Sequence, residues 1–301
     1  MLEPTLRLLA PRPGGRYVDL TTGAGGHARA ILERSAPDGH LLAIDRDAEA
    51  LAVAEHELAP YADRLQLVHG AFSQLDVHLR RVGWSRVDGL LADLGVSSMQ
   101  LDRGRRGFSF ERSGPLDMRM DASRGRPLAA LLDQLEVDHL AAALRRLGEV
   151  PRPRPLARRI MEAHRGGELT DTTALARLVG GRRRPGKIHP ATKVFMALRL
   201  LVNDELGELE RLLAQLPEPL APGGRAVFIA FHSLEDRAVK RRFAELERGC
   251  ICPPDLPVCG CGRRPALRLL TRGALRPDEQ ECAHNRRARS ARLRAAERLA
   301  A

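Results

Sequence analysis

Tyr17-Val18-Asp19-Leu20-Thr21-Thr22-Gly23-Ala24-Gly25-Gly26-His27 is the stretch that decides the fold. It predicts a short apolar strand, then a glycine turn, then the start of a helix. A second apolar run, Leu41 to Ile44, ends in Asp45, twenty residues after Gly25. This is the layout of a nucleotide-type cofactor site on an α/β sheet, in which glycines admit the ligand and an acid binds the ribose hydroxyls.

The glycine pattern differs from that of a dinucleotide site. The position three residues after Gly25 is Ala28, where G-x-G-x-x-G has its third glycine. Together with Asp19 at the start of the loop, this favours S-adenosylmethionine, which has no pyrophosphate to place on the helix N-terminus. The glycines alone leave open a tight turn that binds nothing.

Composition and charge restrict the classes of protein that fit. The chain has 301 residues and is 44% hydrophobic, which predicts a globular protein of one large or two smaller domains. It has no apolar run of membrane-spanning length and no signal peptide, so we expect a cytoplasmic protein without a membrane partner. The net charge of +11 favours a polyanionic partner, nucleic acid before membrane.

Strands and helices alternate through the first hundred residues. Strands are predicted at residues 17–20, 41–45, 65–69 and 87–93, and helices at 28–34, 48–58 and 74–82. This alternation predicts a parallel, doubly wound α/β sheet. Residues 104–189 then show helical periods without a strand, with helices expected at 130–147, 155–164 and 170–179. We therefore predict a cofactor domain of residues 1–103 and 190–301 with an inserted helical substrate domain, 104–189.

The sheet is expected to resume after the insert. The pattern predicts a long helix over 190–216, a turn at 221–224, a strand at 225–231, a helix at 233–246 and a last strand at 267–270. An arginine-rich helix over 284–299 is predicted to end the chain, with either a phosphate-binding or a merely solvated face.

Asp93 is the candidate catalytic residue because it ends the fourth strand, at the sheet edge where ligands bind. Amine methylation needs an acceptor that positions the amine and a route for its proton, and a carboxylate can serve as both. The alternative is a carboxylate that caps the following turn.

Seven motifs occur in chain order and resemble the bacterial ribosomal RNA small subunit methyltransferase H family over nearly the whole chain. They are Asp19-x-Thr-x-Gly-x-Gly-Gly-His27, Ile44-Asp45-Arg46-Asp47, Gly95-Val96-Ser97-Ser98-x-Gln100-Leu101-Asp102, Arg106-Gly107-Phe108-Ser109-Phe110, Gly114-Pro115-Leu116-Asp117-Met118-Arg119-Met120-Asp121, Ile188-His189-Pro190-Ala191-Thr192 and Phe231-His232-Ser233-Leu234-Glu235-Asp236-Arg237. The resemblance implies a Rossmann-like class I methyltransferase. It also implies methyl transfer from S-adenosylmethionine to the 4-amino group of a cytidine in 16S rRNA, at the decoding centre.

The resemblance also implies the cofactor contacts, which fall on Gly25, Gly26, His27, Asp45, Phe72, Asp93 and Gln100. The glycine turn admits the methionine moiety and Asp45 binds ribose. Phe72 packs against adenine or belongs to the core. The backbone N–H of His27 suits the cofactor carboxylate, and nothing in the sequence requires its imidazole.

The candidate substrate residues are Arg106, Phe108, Phe110 and Arg119. Guanidinium and aromatic faces can stack on an unstacked base, while packing of the insert is the alternative role. His232 and Ser233 resemble a catalytic pair, but no acid is positioned by sequence to orient the histidine, so a hydrolase is disfavoured.

Five cysteines, four of them in a C-x-C…C-x-C cluster, depart from the usual C-x-x-C spacing of zinc sites. We therefore expect a reduced surface loop and no metal, and a zinc site is the alternative. The chain opens at Met1-Leu2-Glu3-Pro4 without the family's usual His-x-Pro-Val-Leu segment, which leaves the completeness of the N-terminus open. The choice between free 16S rRNA and the small ribosomal subunit as partner stays open too, as does a homodimer.

Three rival functions fit parts of the pattern. The first is methylation of another target, such as a DNA cytosine or a different RNA amine. The second is a dehydrogenase, which the glycine pattern disfavours. The third is a non-catalytic RNA-binding or assembly factor that keeps the fold, against which Asp93 and Gln100 count.

Overall fold

The computed structural model describes residues 1–180, 189–253, 258 and 260–300. The chain divides into two compact units. The first unit combines Met1–Gly95 with Gly207–Ala301, and the second is Val96–Leu206. The second unit extends further at both ends than the predicted insert of residues 104–189. No described helix has the length and apolar character needed to cross a membrane.

The first unit is built on a seven-stranded sheet. Its strands are β1 Arg16–Asp19, β2 His40–Asp45, β3 Leu65–His69, β4 Val87–Asp93, β5 Leu220–Ala230, β6 Leu267–Leu269 and β7 Arg292–Arg298. Their order in the sheet is β3-β2-β1-β4-β5-β7-β6. β1 to β5 run parallel, whereas β7 is antiparallel to both of its neighbours. The predicted α/β, doubly wound, Rossmann-like sheet is confirmed.

Helices cover both faces of this sheet and build the second unit. In chain order, the α-helices of the described residues are α1 Leu2–Leu9, α2 Gly26–Arg34, α3 Ala48–Glu57, α4 Leu75–Arg81, α5 Ser98–Asp102, α6 Leu128–Leu132, α7 Val137–Gly148, α8 Pro153–Arg165, α9 Thr172–Val179, α10 Pro190–Asn203, α11 Glu205–Gln215, α12 Ser233–Glu247 and α13 Glu279–His284. α5 to α10 belong to the second unit.

The core of the first unit lies on both faces of the sheet. Side chains alternate between the faces along each strand, so Leu42 and Ile44 join one core cluster while Leu41 and Ala43 join the other. All four are completely buried. Because both faces are covered, β2 and β4 contain continuous buried runs, which is why their positions could be predicted.

The C-terminal segment corrects one prediction. Residues 286–290 form a 3₁₀ helix, and 292–298 form β7 instead of an arginine-rich α-helix. The segment alternates with a period of two, since Leu293 and Ala295 are buried while Arg292 and Arg294 contact Asp236 on α12. The many arginines of this segment made its strand pattern difficult to identify from sequence. Pairing with β5 makes residues 292–298 a strand.

Two predicted helices are each divided. The helix expected over 190–216 ends at Asn203, because Asp204 has a left-handed φ of 47°, and α11 begins at Glu205. The helix expected over 130–147 separates into α6 and α7. Both corrections concern helix boundaries, which apolar periodicity alone does not mark.

The predicted turn at 221–224 lies within a strand. Pairing of β4 with β5 passes from Val87 opposite Leu220 directly to Gly89 opposite Arg225, so β5 contains a bulge. Gly223 in this bulge has a φ of 76°. The Pro-Gly-Gly signal was placed correctly, but the strand starts before it.

Candidate active site

Three aspartates lie at the carboxyl edge of the first unit's sheet. Asp19 ends β1, Asp45 ends β2 and Asp93 ends β4, and these three strands are neighbours in the order β2-β1-β4. Parallel strands bring their carboxyl ends to one edge, so the acids predicted from separate stretches converge there.

The glycine turn after β1 has the conformation that the sequence predicted. Gly25 precedes α2 with a φ of 90°, which L side chains rarely adopt. A Cβ atom on Gly25 would lie 3.2 Å from Leu58, whereas one on Gly26 would have nothing within 4 Å. Among the described residues, no side chain caps α2. Because the first N–H groups of a helix lack intrahelical acceptors, this helix start suits an anionic group.

Asp45 fastens the glycine turn to β2. One carboxylate oxygen accepts a hydrogen bond from the Gly23 amide at 2.7 Å, and the other accepts one from the Asp47 amide at 2.8 Å. Burial raises the pKa of Asp45, and these amide donors oppose the rise. A carboxylate has about four acceptor sites, so these backbone hydrogen bonds leave room for one from a ribose hydroxyl.

Asp19 is a site residue that the sequence reasoning did not single out as a ligand. Its side chain is fully buried, and Oδ1 accepts a hydrogen bond from the Thr21 amide at 3.1 Å. Oδ2 has no hydrogen-bond partner among the described residues. Burial raises the pKa of Asp19 to about 7. An acid that ends a buried strand was the available signal.

Asp93 and His27 face each other at the centre of the edge. His27 Nδ1 lies 3.6 Å from Asp93 Oδ2, which is longer than a hydrogen bond. Burial lowers the pKa of His27 to about 4, so its imidazole is neutral at about pH 7. Burial, with a smaller contribution from Glu235, raises the pKa of Asp93 to about 7. The structure thus gives the His27 ring a position that the sequence did not require.

Asp93 has one oxygen available for a ligand. Its Oδ1 is buried and has no hydrogen-bond partner among the described residues. His27 Nε2 is likewise buried and has no hydrogen-bond partner there. The Asp93 amide donates to Thr21 Oγ1 at 2.6 Å, which joins β4 to the glycine turn. The turn and the candidate catalytic carboxylate are therefore held in one hydrogen-bonded assembly.

His232 and Ser233 form a helix start. Glu235 Oε2 accepts hydrogen bonds from the Phe231 and His232 amides at 3.0 and 3.4 Å, and the Glu235 amide donates to His232 Nδ1. The prediction that no acid accompanies His232 was wrong, since Glu235 Oε1 lies 3.1 Å from its Nε2. The arrangement is a capping box at the start of α12.

A cavity of about 270 Å³ lies beside this helix start. Its lining includes His232 and Ser233 and the guanidinium groups of Arg276, Arg289 and Arg292. Arg292 is bound to Asp236. The cavity is polar and positively charged, and it lies within the first unit.

Phe72 and Gln100 have visible structural contacts. Phe72 follows β3 in a 3₁₀ turn and packs, half-buried, against the core cluster that contains Leu75. Gln100 belongs to the second unit, where its Oε1 accepts the Ser97 amide in the capping box of α5. Their predicted cofactor contacts stay predictions.

Three of the candidate substrate residues pack together in the second unit. Arg106 is buried and donates to the backbone carbonyls of Arg119 and Met120 at 3.1 and 2.8 Å. Its guanidinium lies 5.9 Å from the ring centre of Phe108, which is buried too. The Arg119 guanidinium donates two hydrogen bonds to the Asp117 carboxylate, at 2.7 and 2.8 Å. Packing, the alternative role, is visible for all three.

Phe110 lies in a separate aromatic group of the second unit. Its ring centre is 5.1 Å from that of His189 and 5.0 Å from that of Phe195. The residue is half-buried, whereas Phe108 is buried. Phe110 is therefore the candidate substrate aromatic that could still stack on a base.

Three described cysteines of the predicted surface loop lie close together. The Sγ atoms of Cys250, Cys252 and Cys261 all lie within 4.8 Å of one another. Cys259 lies outside the described residues.

The carboxyl edge fits S-adenosylmethionine. The cofactor carries an ammonium group, a carboxylate, ribose hydroxyls and a positively charged sulfur. The buried carboxyl oxygens of Asp19 and Asp93 can accept hydrogen bonds from the ammonium group or stabilise the positively charged sulfur. The start of α2 suits the carboxylate of the cofactor. Asp45 suits the ribose hydroxyls.

Comparison with known proteins gives the family. The model of the MraW methylase family matches residues 1–299. A relative from Thermomicrobium roseum is 50% identical over 100% of this chain and 93% of its own length. One from Syntrophotalea carbinolica is 49% identical over 99% of this chain and 96% of its own. Both are named ribosomal RNA small subunit methyltransferase H. The chain therefore belongs to the MraW methylase family, as a Rossmann-like methyltransferase whose cofactor is S-adenosylmethionine.

Proposed function

We propose that the protein transfers a methyl group to the exocyclic 4-amino group of a specific cytidine in 16S rRNA, at the decoding centre of the small ribosomal subunit. The names of the relatives support a small-subunit rRNA substrate, and the net charge of +11 suits a polyanion. The observation that carries the proposal is the Asp93 carboxyl group at the end of β4, which has an unpartnered, buried Oδ1 among the described residues and a pKa of about 7.

Asp93 positions the amine and receives its proton. The cytosine amine is a weak nucleophile because its lone pair is conjugated with the ring. A hydrogen bond from one N–H to Asp93 turns the amine toward the methyl group and increases electron density on nitrogen. S-adenosylmethionine supplies an electrophilic methyl group on a positively charged sulfur. As the N–C bond forms and the S–C bond breaks, the amine releases a proton, which Asp93 accepts or passes to water.

The other cofactor residues bind and orient. The helix start at Gly25, Gly26 and His27 holds the methionine carboxylate through backbone N–H groups, and Asp45 holds the ribose hydroxyls. Phe72 packs against adenine, and the resemblance adds Gln100 as a further cofactor contact. These assignments rest on the resemblance and on the fit of the donors and acceptors described above.

The second unit supplies most of the positive charge for RNA. Residues 96–206 contain 21 basic and 13 acidic residues, which gives +8 of the chain's net +11. Arg145, Arg146 and Arg158 are exposed on α7 and α8. We assign phosphate binding to this unit and to the arginine-lined cavity, base stacking to Phe110, and support of these surfaces to Arg106, Phe108 and Arg119. A cytoplasmic location and a homodimer remain predictions.

The test is mass spectrometry of nucleosides from unmodified small ribosomal subunits after incubation with the protein and S-adenosylmethionine. We expect 4-N-methylcytidine with the wild type and a loss of roughly 100-fold or more in rate with Asp93→Asn. The wild-type rate should rise as the pH approaches about 7 and level off above it, because the acceptor must be ionised.

The matched control is Asp63→Asn, which removes an exposed carboxylate elsewhere and should leave the rate unchanged. Cofactor binding by each variant separates lost chemistry from lost folding. Methylation of a different nucleoside would show that the proposed cytidine is not the target. Full activity of Asp93→Asn would remove Asp93 from the mechanism. Cofactor binding without any transfer would favour the assembly-factor role.

A further inference from the structure

Three described thiols gather in the segment between α12 and β6, away from the acidic edge. Cys250, Cys252 and Cys261 place their Sγ atoms within 4.8 Å of one another. Methyl transfer as described above uses none of them. A function for this cluster therefore has to come from its own geometry.

The sulfur geometry matches metal coordination. Cys250 Sγ and Cys261 Sγ are 3.7 Å apart. In a tetrahedral zinc site, Zn–S bonds of about 2.3 Å separate the sulfurs by about 3.8 Å. A disulfide would require about 2.05 Å. Cys252 Sγ also lies within 4.8 Å of both, so all three sulfurs can reach one ion after small side-chain adjustments.

The backbone supports a thiolate at Cys250. The Cys252 amide donates a hydrogen bond to Cys250 Sγ at 3.3 Å. N–H donors to sulfur offset the charge of ligating thiolates, as outer-shell hydrogen bonds do in metal sites. The C-x-C spacing of Cys250 and Cys252 argued against zinc in the sequence. In the structure this spacing gives a short loop in which one amide donates to a sulfur atom.

We propose that Cys250, Cys252 and Cys261 bind a zinc ion. Thiolates select soft or borderline metals, and zinc is the ion that tetrahedral sulfur sites hold most often in structural roles. Three protein sulfurs leave one position of the tetrahedron for a further ligand. The proposal does not depend on the proposed RNA target.

The role that the fold indicates is structural. The Ala266 amide donates to the Leu246 carbonyl at 2.8 Å, so the chain returns to the end of α12 after an excursion of about twenty residues. Pro265 lies close to Gly249, where a Cβ would be 2.8 Å from its ring. A metal bound by the three cysteines would cross-link this excursion and reduce the conformational entropy of the chain there.

The test is the metal content of the full-length protein, expressed with zinc in the medium and purified without chelators. Inductively coupled plasma mass spectrometry should find one zinc per chain in the wild type. The zinc content per chain should be at least ten-fold lower in Cys250→Ser and in Cys261→Ser than in the wild type. Cys282→Ser is the matched control, because Cys282 is a free cysteine outside the cluster, and it should keep its zinc.

Cobalt(II) added to metal-free protein provides the second readout. The wild type should show thiolate-to-cobalt charge-transfer bands, and Cys261→Ser should lose them while its circular dichroism and cofactor binding stay unchanged. Zinc-free wild type without cobalt bands would overturn the proposal. So would full zinc in Cys250→Ser, or a Cys250–Cys261 disulfide in peptides from non-reduced protein. Metal content can be positive even if methyl transfer fails.

Discussion

At the scale of single residues, Gly25 combines a backbone requirement with a steric one. Its φ of 90° and the 3.2 Å that would separate an added Cβ from Leu58 both oppose any side chain. Gly25→Ala should therefore weaken S-adenosylmethionine binding by roughly ten-fold or more, because the turn must shift away from Asp45. Isothermal titration calorimetry measures this.

The control for the glycine effect is Gly83→Ala. Gly83 also has a positive φ, of 70°, but a Cβ there would meet nothing within 4 Å. The substitution should cost stability, on the order of 1 kcal/mol, without changing the affinity for the cofactor. Equal affinity losses in both variants would mean that general strain, and not the cofactor turn, is responsible.

Asp19 gives a pH-dependent prediction. Its folded pKa of about 7 exceeds the ordinary value of 3.8, so between these values the folded protein binds more protons than the unfolded chain. The free energy of unfolding therefore falls as the pH rises from about 4 to 7, by roughly 2–4 kcal/mol for this group. Asp19→Asn should flatten that decline, as urea unfolding at about pH 5 and pH 8 would show.

The comparison for this prediction is Asp63→Asn, an exposed aspartate whose replacement should leave the pH profile as in the wild type. An unchanged slope in Asp19→Asn would show that Asp19 is ionised throughout. Asp93 shares the same window, so part of the decline should persist in the Asp19 variant.

The residues at the sheet edge show what sequence can and cannot provide. Asp45 and Asp93 could be predicted because each ends an apolar run, and topology brings such ends together. The imidazole of His27 and the carboxylate of Glu235 could not. Their positions depend on the direction in which α2 and α12 leave the sheet, and apolar periodicity does not record that direction.

At the scale of elements, partly buried ion pairs connect β7 to α12. Asp236 binds Arg294 at 2.7 Å and Arg292 at 3.0 Å. Burial would raise the pKa of Asp236, but these guanidinium groups outweigh it and hold the pKa below its usual value. Arg294→Met should lower the free energy of unfolding by about 2–4 kcal/mol, because Asp236 loses a partner inside the protein. Urea unfolding measures this.

Arg289, in the neighbouring 3₁₀ turn, provides the contrast. It lines the polar cavity and is exposed, so Arg289→Met should leave unfolding nearly unchanged while weakening RNA binding. The opposite pattern, with stability lost at Arg289 and not at Arg294, would contradict this division of roles. The sequence alone could not separate the two arginines, since both belong to one basic stretch whose strand forms only by pairing with β5.

At the scale of the whole molecule, the positive charge is concentrated in the second unit. The double variant Arg145→Gln/Arg146→Gln removes two exposed charges from α7. We expect weaker binding of small-subunit rRNA and a reduction of about 1–2 in the slope of log affinity against log salt. Filter binding at several salt concentrations checks this.

Arg34→Gln, which removes one charge from the surface of the first unit, is the control, and its effect is compared with half of that of the double variant. Arg34 is bound to Glu3 at 2.9 Å on the surface, and its loss should change the salt slope little. A larger effect from Arg34 than from the α7 pair would contradict the assignment of RNA binding to α7.

The second unit lies in the sequence between β4 and β5, which are neighbours in the sheet. More than a hundred residues must therefore be looped out before the central pair of strands can form. Loop closure of this size is slow and is entropically costly until the intervening segment has compacted. Folding is expected to be hierarchical: the helical segment condenses first, shortens the effective loop, and so sets the rate at which the catalytic edge forms. A variant that only slows condensation of those helices would delay the onset of activity without altering the finished enzyme.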